Sequence, residues 1–81
     1  MLPVPLGRHG GVTLQEQIYR YIRGGIIDGT LAAGAKLPST RDLAAALGVS
    51  RNTVVLAYDW LVAEGYVQSR SGTGSFVAHL A

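Results

Sequence analysis

The stretch Leu37-Pro38-Ser39-Thr40-Arg41-Asp42-Leu43-Ala44-Ala45-Ala46-Leu47-Gly48-Val49-Ser50-Arg51-Asn52-Thr53-Val54-Val55-Leu56-Ala57-Tyr58 reads as two short helices joined by a glycine turn. Pro38 disfavours helix at Leu37 and leaves Ser39 free to cap the first helix, with Asp42 three residues on in a capping-box arrangement. Leu43, Ala46 and Leu47 form an i, i+3, i+4 apolar stripe. Gly48 stops this helix, because glycine enters the left-handed C′ conformation without steric cost. Val49 fills the angle of the turn, and Ser50 caps the next helix. Helices this short are marginal alone, since nucleation is costly and runs under ~12 residues do not persist in water. They must pack on something, and a tight glycine turn sets them at the open angle of a helix-turn-helix.

Working outward on the C-terminal side, the second helix runs from about Arg51 to Glu64. Val54, Ala57, Tyr58 and Leu61 share one face at about 100° per residue, while Asn52, Thr53, Leu56, Asp59 and Trp60 look away. Gly65 ends it. Val67 and Phe76-Val77 then flank Gln68-Ser69-Arg70-Ser71-Gly72-Thr73-Gly74-Ser75, the pattern of a β-hairpin with a glycine-rich turn. On the N-terminal side, Thr13-Leu14-Gln15-Glu16 has capping-box form and opens an earlier helix. Its core-facing residues are expected to be Leu14, Ile18, Tyr21, Ile22 and Ile26. Gly25 lies on that stripe and is expected to permit close approach of another helix; Gly29 ends the segment. Leu31 and Leu37 anchor an irregular or strand-like connection. Residues 1–11 hold two of the three prolines and several glycines, and read as a flexible arm carrying Arg8 and His9. The order helix, helix, turn, helix, hairpin defines a mainly α fold with a small β-hairpin: a winged helix-turn-helix of three helices plus wing, over residues 12–79.

Bulk composition narrows the chemistry. The 81 residues contain no cysteine, and 48% are hydrophobic, so packing rather than disulfides or a cysteine-based metal site must hold the fold. Seven Lys/Arg stand against five Asp/Glu, a net charge of only +2. A polyanion would therefore be met by placed charges rather than a bulk field. No stretch approaches the ~18 apolar residues of a membrane span, and no charged leader precedes a long apolar run. A cytoplasmic protein without membrane contact is expected. His9 and His79 have no paired carboxylates or cysteine to work with, so catalysis and metal binding are not expected, and the domain is not read as an enzyme.

The placed charges are three arginines. Arg41 lies in the first turn of the motif's first helix, Arg51 in the first turn of its second, and Arg70 in the hairpin. The positive end of a helix dipole repels an arginine by a few tenths of a kcal/mol, roughly. Two such placements point to an external anion, and free N–H groups at helix starts attract phosphate. Arg51 could instead fork onto a guanine edge, Asn52 pair an adenine, and Thr53 reach a phosphate or thymine methyl. Ser50 is both cap and possible phosphate donor. Arg70-Ser71-Gly72-Thr73-Gly74 superficially resembles a glycine-rich phosphate loop, yet no lysine follows Gly74 and no helix begins there. A wing lying beside the DNA backbone or in the minor groove fits better. The rival reading is a winged-helix module that binds protein; arginines at both helix starts and in the wing weigh against it.

The runs Leu37-Pro38-Ser39-Thr40-Arg41-Asp42-Leu43-Ala44 and Leu47-Gly48-Val49-Ser50-Arg51-Asn52-Thr53-Val54 resemble the GntR family of bacterial transcription regulators. Tyr58, Leu61, Ala63-Glu64-Gly65-Tyr66 and Ser69-Arg70-Ser71-Gly72-Thr73-Gly74-Ser75-Phe76-Val77 continue the likeness, as do Gln17-Ile18-Tyr19 and Ile26-Ile27-Asp28-Gly29-Thr30-Leu31. The wording of the recognition helix and wing is most similar to the MocR subfamily. The resemblance implies a sequence-specific DNA-binding domain, with DNA contacts at Arg41, Ser50, Arg51, Asn52, Thr53, Ser71 and Gly72, to which the hairpin reading adds Arg70. Helix 51–64 would read the major groove of a double-stranded operator and the wing, 66–78, would contact backbone or minor groove. Val55 stands where some relatives outside MocR carry a further arginine. The resemblance also implies that the chain is the N-terminal part of a longer regulator. It implies a pyridoxal-phosphate-binding sensor beyond this domain, which itself holds no cofactor; the modest net charge, separately, points to a homodimer of the longer regulator on two half-sites. Trp60 and Leu56 are open to two readings: part of a dimer contact, or packing on the first helix.

Overall fold

Thr13, Ser39 and Ser50 each turn the chain into a helix in the same way. The backbone is extended at the cap, and the side-chain oxygen accepts the N–H three residues on, from Glu16, Asp42 and Thr53. Three helices follow: α1 (Leu14–Asp28), α2 (Thr40–Leu47) and α3 (Arg51–Ala63), then strands β1 (Val67–Arg70) and β2 (Gly74–Val77). This computed structural model describes residues 2, 4–7 and 11–79; Arg8 and His9, expected in the arm, lie outside the described residues. The expected winged helix-turn-helix is the architecture observed. Among the described residues no helix is long and apolar enough to cross a membrane.

The caps are simpler than the sequence pattern suggests. Each expected capping box supplies its forward bond, but Glu16 does not reach back to Thr13. Its carboxylate pairs instead with Arg20 one turn on, at 2.7 Å, the favourable i, i+4 geometry of a helix surface. Gly48 adopts φ +69° and closes α2 by donating its N–H to Ala44 O, and Val49 N–H donates to the same carbonyl at 3.1 Å. That left-handed turn directs α3 away from α2.

The core forms where the three helices meet. Val54, Ala57, Tyr58 and Leu61 of α3 are all buried, as their spacing predicts, and Ile18, Ile22, Leu43, Val54, Ala57 and Leu61 have no exposed surface. A fully buried aliphatic side chain contributes roughly 1.5–3 kcal/mol, so a few such residues decide whether α2 exists. Two stripes are rotated from expectation. On α1, Tyr19 is buried, whereas Leu14 in the first turn stays 43% exposed. On α2, Ala44 rather than Ala46 faces inward. Periodicity gives the angle of a stripe, but not which edge of it the neighbouring helix covers.

Gly25 also differs in its neighbour. A Cβ there would lie 2.9 Å from Leu31 Cγ, so the bare backbone makes room for the connection after α1 and not for another helix. Leu31 N–H donates to Gly25 O at 2.9 Å, which fixes that turn. The connection then joins the wing. Leu37 N–H donates to Ser75 O, and Val77 N–H to Ala35 O, both at 2.8 Å, with Lys36 and Phe76 paired antiparallel. β1 and β2 pair antiparallel with Val67 opposite Val77 and Arg70 opposite Gly74. Val67, Val77 and Leu37 face the core, and this attaches the hairpin to the helices.

The described residues of the N-terminal arm, 2 and 4–7, do not form the solvated leader that composition suggests. Val4 is buried, and Leu2 and Leu6 pack against the core. The Gln17 side chain supports this path, accepting from Gly7 N–H at 3.0 Å and donating to Gly7 O at 2.8 Å.

Tyr58 links core to loop. Its hydroxyl donates to Pro38 O at 2.7 Å, and burial pushes the phenol well above its ordinary pKa. Tyr58→Phe removes this bond while keeping the ring, and is expected to cost about 1 kcal/mol. In a domain of this size that lowers the melting temperature by roughly 4–8 °C; calorimetry showing an unchanged midpoint would contradict the tether.

Candidate nucleic-acid interface

The start of α3 is organised by Ser50. Its Oγ accepts from Thr53 N–H at 3.2 Å and lies 2.8 Å from Thr53 Oγ1, so the two hydroxyls expected to contact DNA are bonded to each other at one helix end. Arg51, the first residue of α3, is exposed. Its Nε donates to Thr40 Oγ1 at 3.1 Å, which leaves the terminal nitrogens of the guanidinium available. Thr40 opens α2, so this bond ties together the starts of the two helices of the motif. Asn52 and Arg41 are also exposed. Among the described residues neither makes a side-chain hydrogen bond or ion pair.

The wing supplies the other wall. Arg70 ends β1, and its guanidinium lies over the Phe76 ring, 4.6 Å from the centroid, a cation–π contact that limits its swing. Its carbonyl accepts from Thr73 N–H at 3.0 Å and Thr73 Oγ1 at 3.2 Å, closing the turn through Ser71 and Gly72. Between this turn and the start of α2 runs an open cleft of about 430 Å³, bordered by Ser39 and Thr40 on one side and by Arg70, Ser71 and Gly72 on the other. The structure thus bonds Ser50 to Thr53 and Arg51 to Thr40 at the starts of α3 and α2. It sets Arg70, Ser71 and Gly72 across a cleft from Thr40, the residue that holds Arg51. Arg41 neighbours Thr40 in the chain, but no contact connects it to the cleft.

Two residues at this surface escaped the sequence reading. Thr40 becomes the anchor of Arg51 only in the fold. Lys36, the one lysine of the chain, borders the cleft. Its charge was visible in the sequence, but the pairing with Phe76 that carries it there is long-range.

The C-terminal half of α3 behaves differently. Trp60 stacks on Tyr19 of α1, with ring centroids 4.1 Å apart and planes 11° from parallel. Of the two readings open for Trp60, packing on the first helix is therefore the one observed. Tyr19 donates its hydroxyl to the Glu64 carboxylate. That bond, with burial, holds the phenol above its ordinary pKa.

Three helices with a short, doubly capped turn, a hairpin wing and an acid-free cleft between them define a winged-helix DNA-binding domain. Residues 14–77 match the family model described as bacterial regulatory proteins, gntR family. The chain belongs to the GntR family. It is 51% identical over 75 residues to the "Probable rhizopine catabolism regulatory protein MocR" of Rhizobium meliloti, covering 93% of this chain and 15% of that protein. It is 41% identical over 76 residues to the HTH-type pyridoxine biosynthesis transcriptional regulator PdxR of Corynebacterium glutamicum, covering 94% of this chain and 17% of that one. The chain therefore spans about a sixth of the length of these relatives. Among solved structures it superposes on YtrA from Sulfolobus acidocaldarius, a GntR-family transcription factor, with a TM-score of 0.89 at 33% identity, covering 96% of this chain and 82% of that one. The DNA-binding domain of AraR in complex with operator ORR3 gives a TM-score of 0.78 at 34% identity, covering 91% and 89% of the two chains.

Because Ser50 holds the first turn of α3 together, Ser50→Ala is expected to destabilise the domain by about 1 kcal/mol, the usual cost of losing an N-cap. Urea denaturation checks it: a lower midpoint with an unchanged slope is expected, and an unchanged midpoint would contradict the capping role.

Proposed function

We propose that this domain binds an operator duplex in a sequence-specific manner, with α3 in the major groove and the wing on the backbone or in the minor groove. Arg51 and Asn52 read base edges. Arg41, Ser50, Thr53, Arg70, Ser71 and Gly72 hold the phosphate backbone. The observation that carries this reading is the exposed start of α3, where Arg51 is fixed by Thr40 beside a cleft walled by the wing and free of carboxylates. The operator complex of AraR, similar in fold, supports the docking geometry. The relatives are named as regulators, which supports a binding role rather than catalysis, in a cytoplasmic regulator of which this domain is the N-terminal part.

Charge sets the strength of the interaction. If Arg41 and Arg70 each neutralise one phosphate while Arg51 reads a base, the slope of log affinity against log salt is about −2 per domain, from roughly −0.9 per contact. One such module binds weakly at physiological salt, so the longer regulator works as a homodimer on two half-sites, gaining avidity. Arg51→Ala is expected to cost about 1–3 kcal/mol on a duplex selected by the wild type and far less on random DNA. Fluorescence anisotropy of labelled duplexes measures both, and equal losses on the two would remove Arg51 from base reading. Footprinting of the full regulator is expected to protect paired half-sites. A lone half-site held by a monomer at full affinity would refute the dimer.

A further inference from the structure

The outer face of the wing holds a second cation beside Arg70. Residues alternate across a strand, and the pairings Gln68–Phe76, Arg70–Gly74 and Lys36–Phe76 place Lys36, Phe76 and Arg70 on one face. The inner face carries Val67, Val77 and Leu37, all buried. Arg70 covers the Phe76 ring, and the far end of Lys36 lies over Gly74. A Cβ at Gly74 would be 3.0 Å from Lys36 Cε and 3.8 Å from Nζ. Gly74 has φ +123°, so glycine there serves both the hairpin turn and the path of the lysine stem.

Among the described residues the two cations have no local counter-ion. All five acids of the chain, Glu16, Asp28, Asp42, Asp59 and Glu64, lie in the helices or at the end of α3. Residues 29–41 and 65–81, which build the connection and the wing, contain none. None of the five borders the cleft. Like charges on one small sheet face repel, and the hydroxyls and turn amides around them add donors for an anion. Phosphate contacts of this kind fix the position of a protein on a duplex without reading its sequence.

We infer that Lys36 is a further DNA-backbone contact, forming with Arg70 a two-cation clamp on the wing that grips phosphate beside the groove read by α3. The inference rests on the DNA-binding reading above. It gives the connection before α2 a part in binding, so that the wing and the helix-turn-helix hold the duplex at a shared point.

The test measures anisotropy of the 81-residue chain on a selected duplex and on a random duplex across a salt series. Lys36→Gln is expected to weaken binding equally on both duplexes and to reduce the salt slope by about 0.9. Lys36→Arg, which keeps the charge, is expected to retain the wild-type slope. Lys36→Met keeps an apolar stem over Gly74 and is expected to match Lys36→Gln, so charge is separated from packing. Thermal midpoints are recorded for each variant, and the conclusion is drawn from those that keep the wild-type midpoint. A wild-type slope in Lys36→Met or Lys36→Gln would overturn the inference, as would a loss confined to the selected duplex. Arg51→Ala serves as the internal reference. If it loses the selected duplex while the lysine variants keep the full slope, only the clamp fails; if the wild type shows no salt dependence, the DNA-binding reading fails with it.

Discussion

An eight-residue helix cannot persist in water by itself, and this constraint governs the molecule. α2 (Thr40–Leu47) survives because Leu43 and Ala44 are buried in the core it shares with α3, and because Gly48 lets the chain turn back within two residues. The same packing brings Thr40 within hydrogen-bonding distance of Arg51. The hydrophobic term is non-directional; the caps and the Thr40–Arg51 bond supply the direction. Once α2 is seated, the start of α3 is held in the open, and the connection before α2 lies against β2 of the wing.

The electrostatic design follows from an economy of charge. A net charge of +2 gives little general attraction for a polyanion, and exposed charges more than about 10 Å apart are screened at ordinary salt. Local separation of the signs does the work instead. Acids lie along the helices, with Glu16 paired to Arg20 and Glu64 engaged by Tyr19. The connection and the wing carry no acid, and their charged side chains are the cations Lys36 and Arg70. Such an arrangement favours short-range contact with phosphate over long-range steering.

Much of this was legible in the sequence for local reasons. Caps, glycine stops and the α3 stripe depend on residues within a turn of one another, so Ser39, Gly48, Ser50 and the Val54–Leu61 face could be read directly. Failures came wherever a partner distant in the chain decided the outcome. Tyr19 is buried because Trp60 stacks on it, a pairing that no helical period reveals. Gly7 is held beside α1 by both sides of the Gln17 amide, although prolines and glycines suggest a free leader. Lys36 reaches the wing through a bridge to Phe76, and Thr40 matters only because α3 returns beside it. The sequence named most of the proposed contact residues; it could not say which of them share a surface.

If the starts of α2 and α3 and the wing turn act as one surface against a duplex, the Tyr19–Trp60 side stays out of contact with it. Titrating isotope-labelled protein with a short DNA duplex, and following backbone amide resonances, tests this most directly. Shifts are expected to concentrate at residues 39–41, 50–53 and 70–74, with the amides around Tyr19 and Trp60 unmoved. Shifts gathered on the Tyr19–Trp60 side, with the wing turn silent, would contradict it.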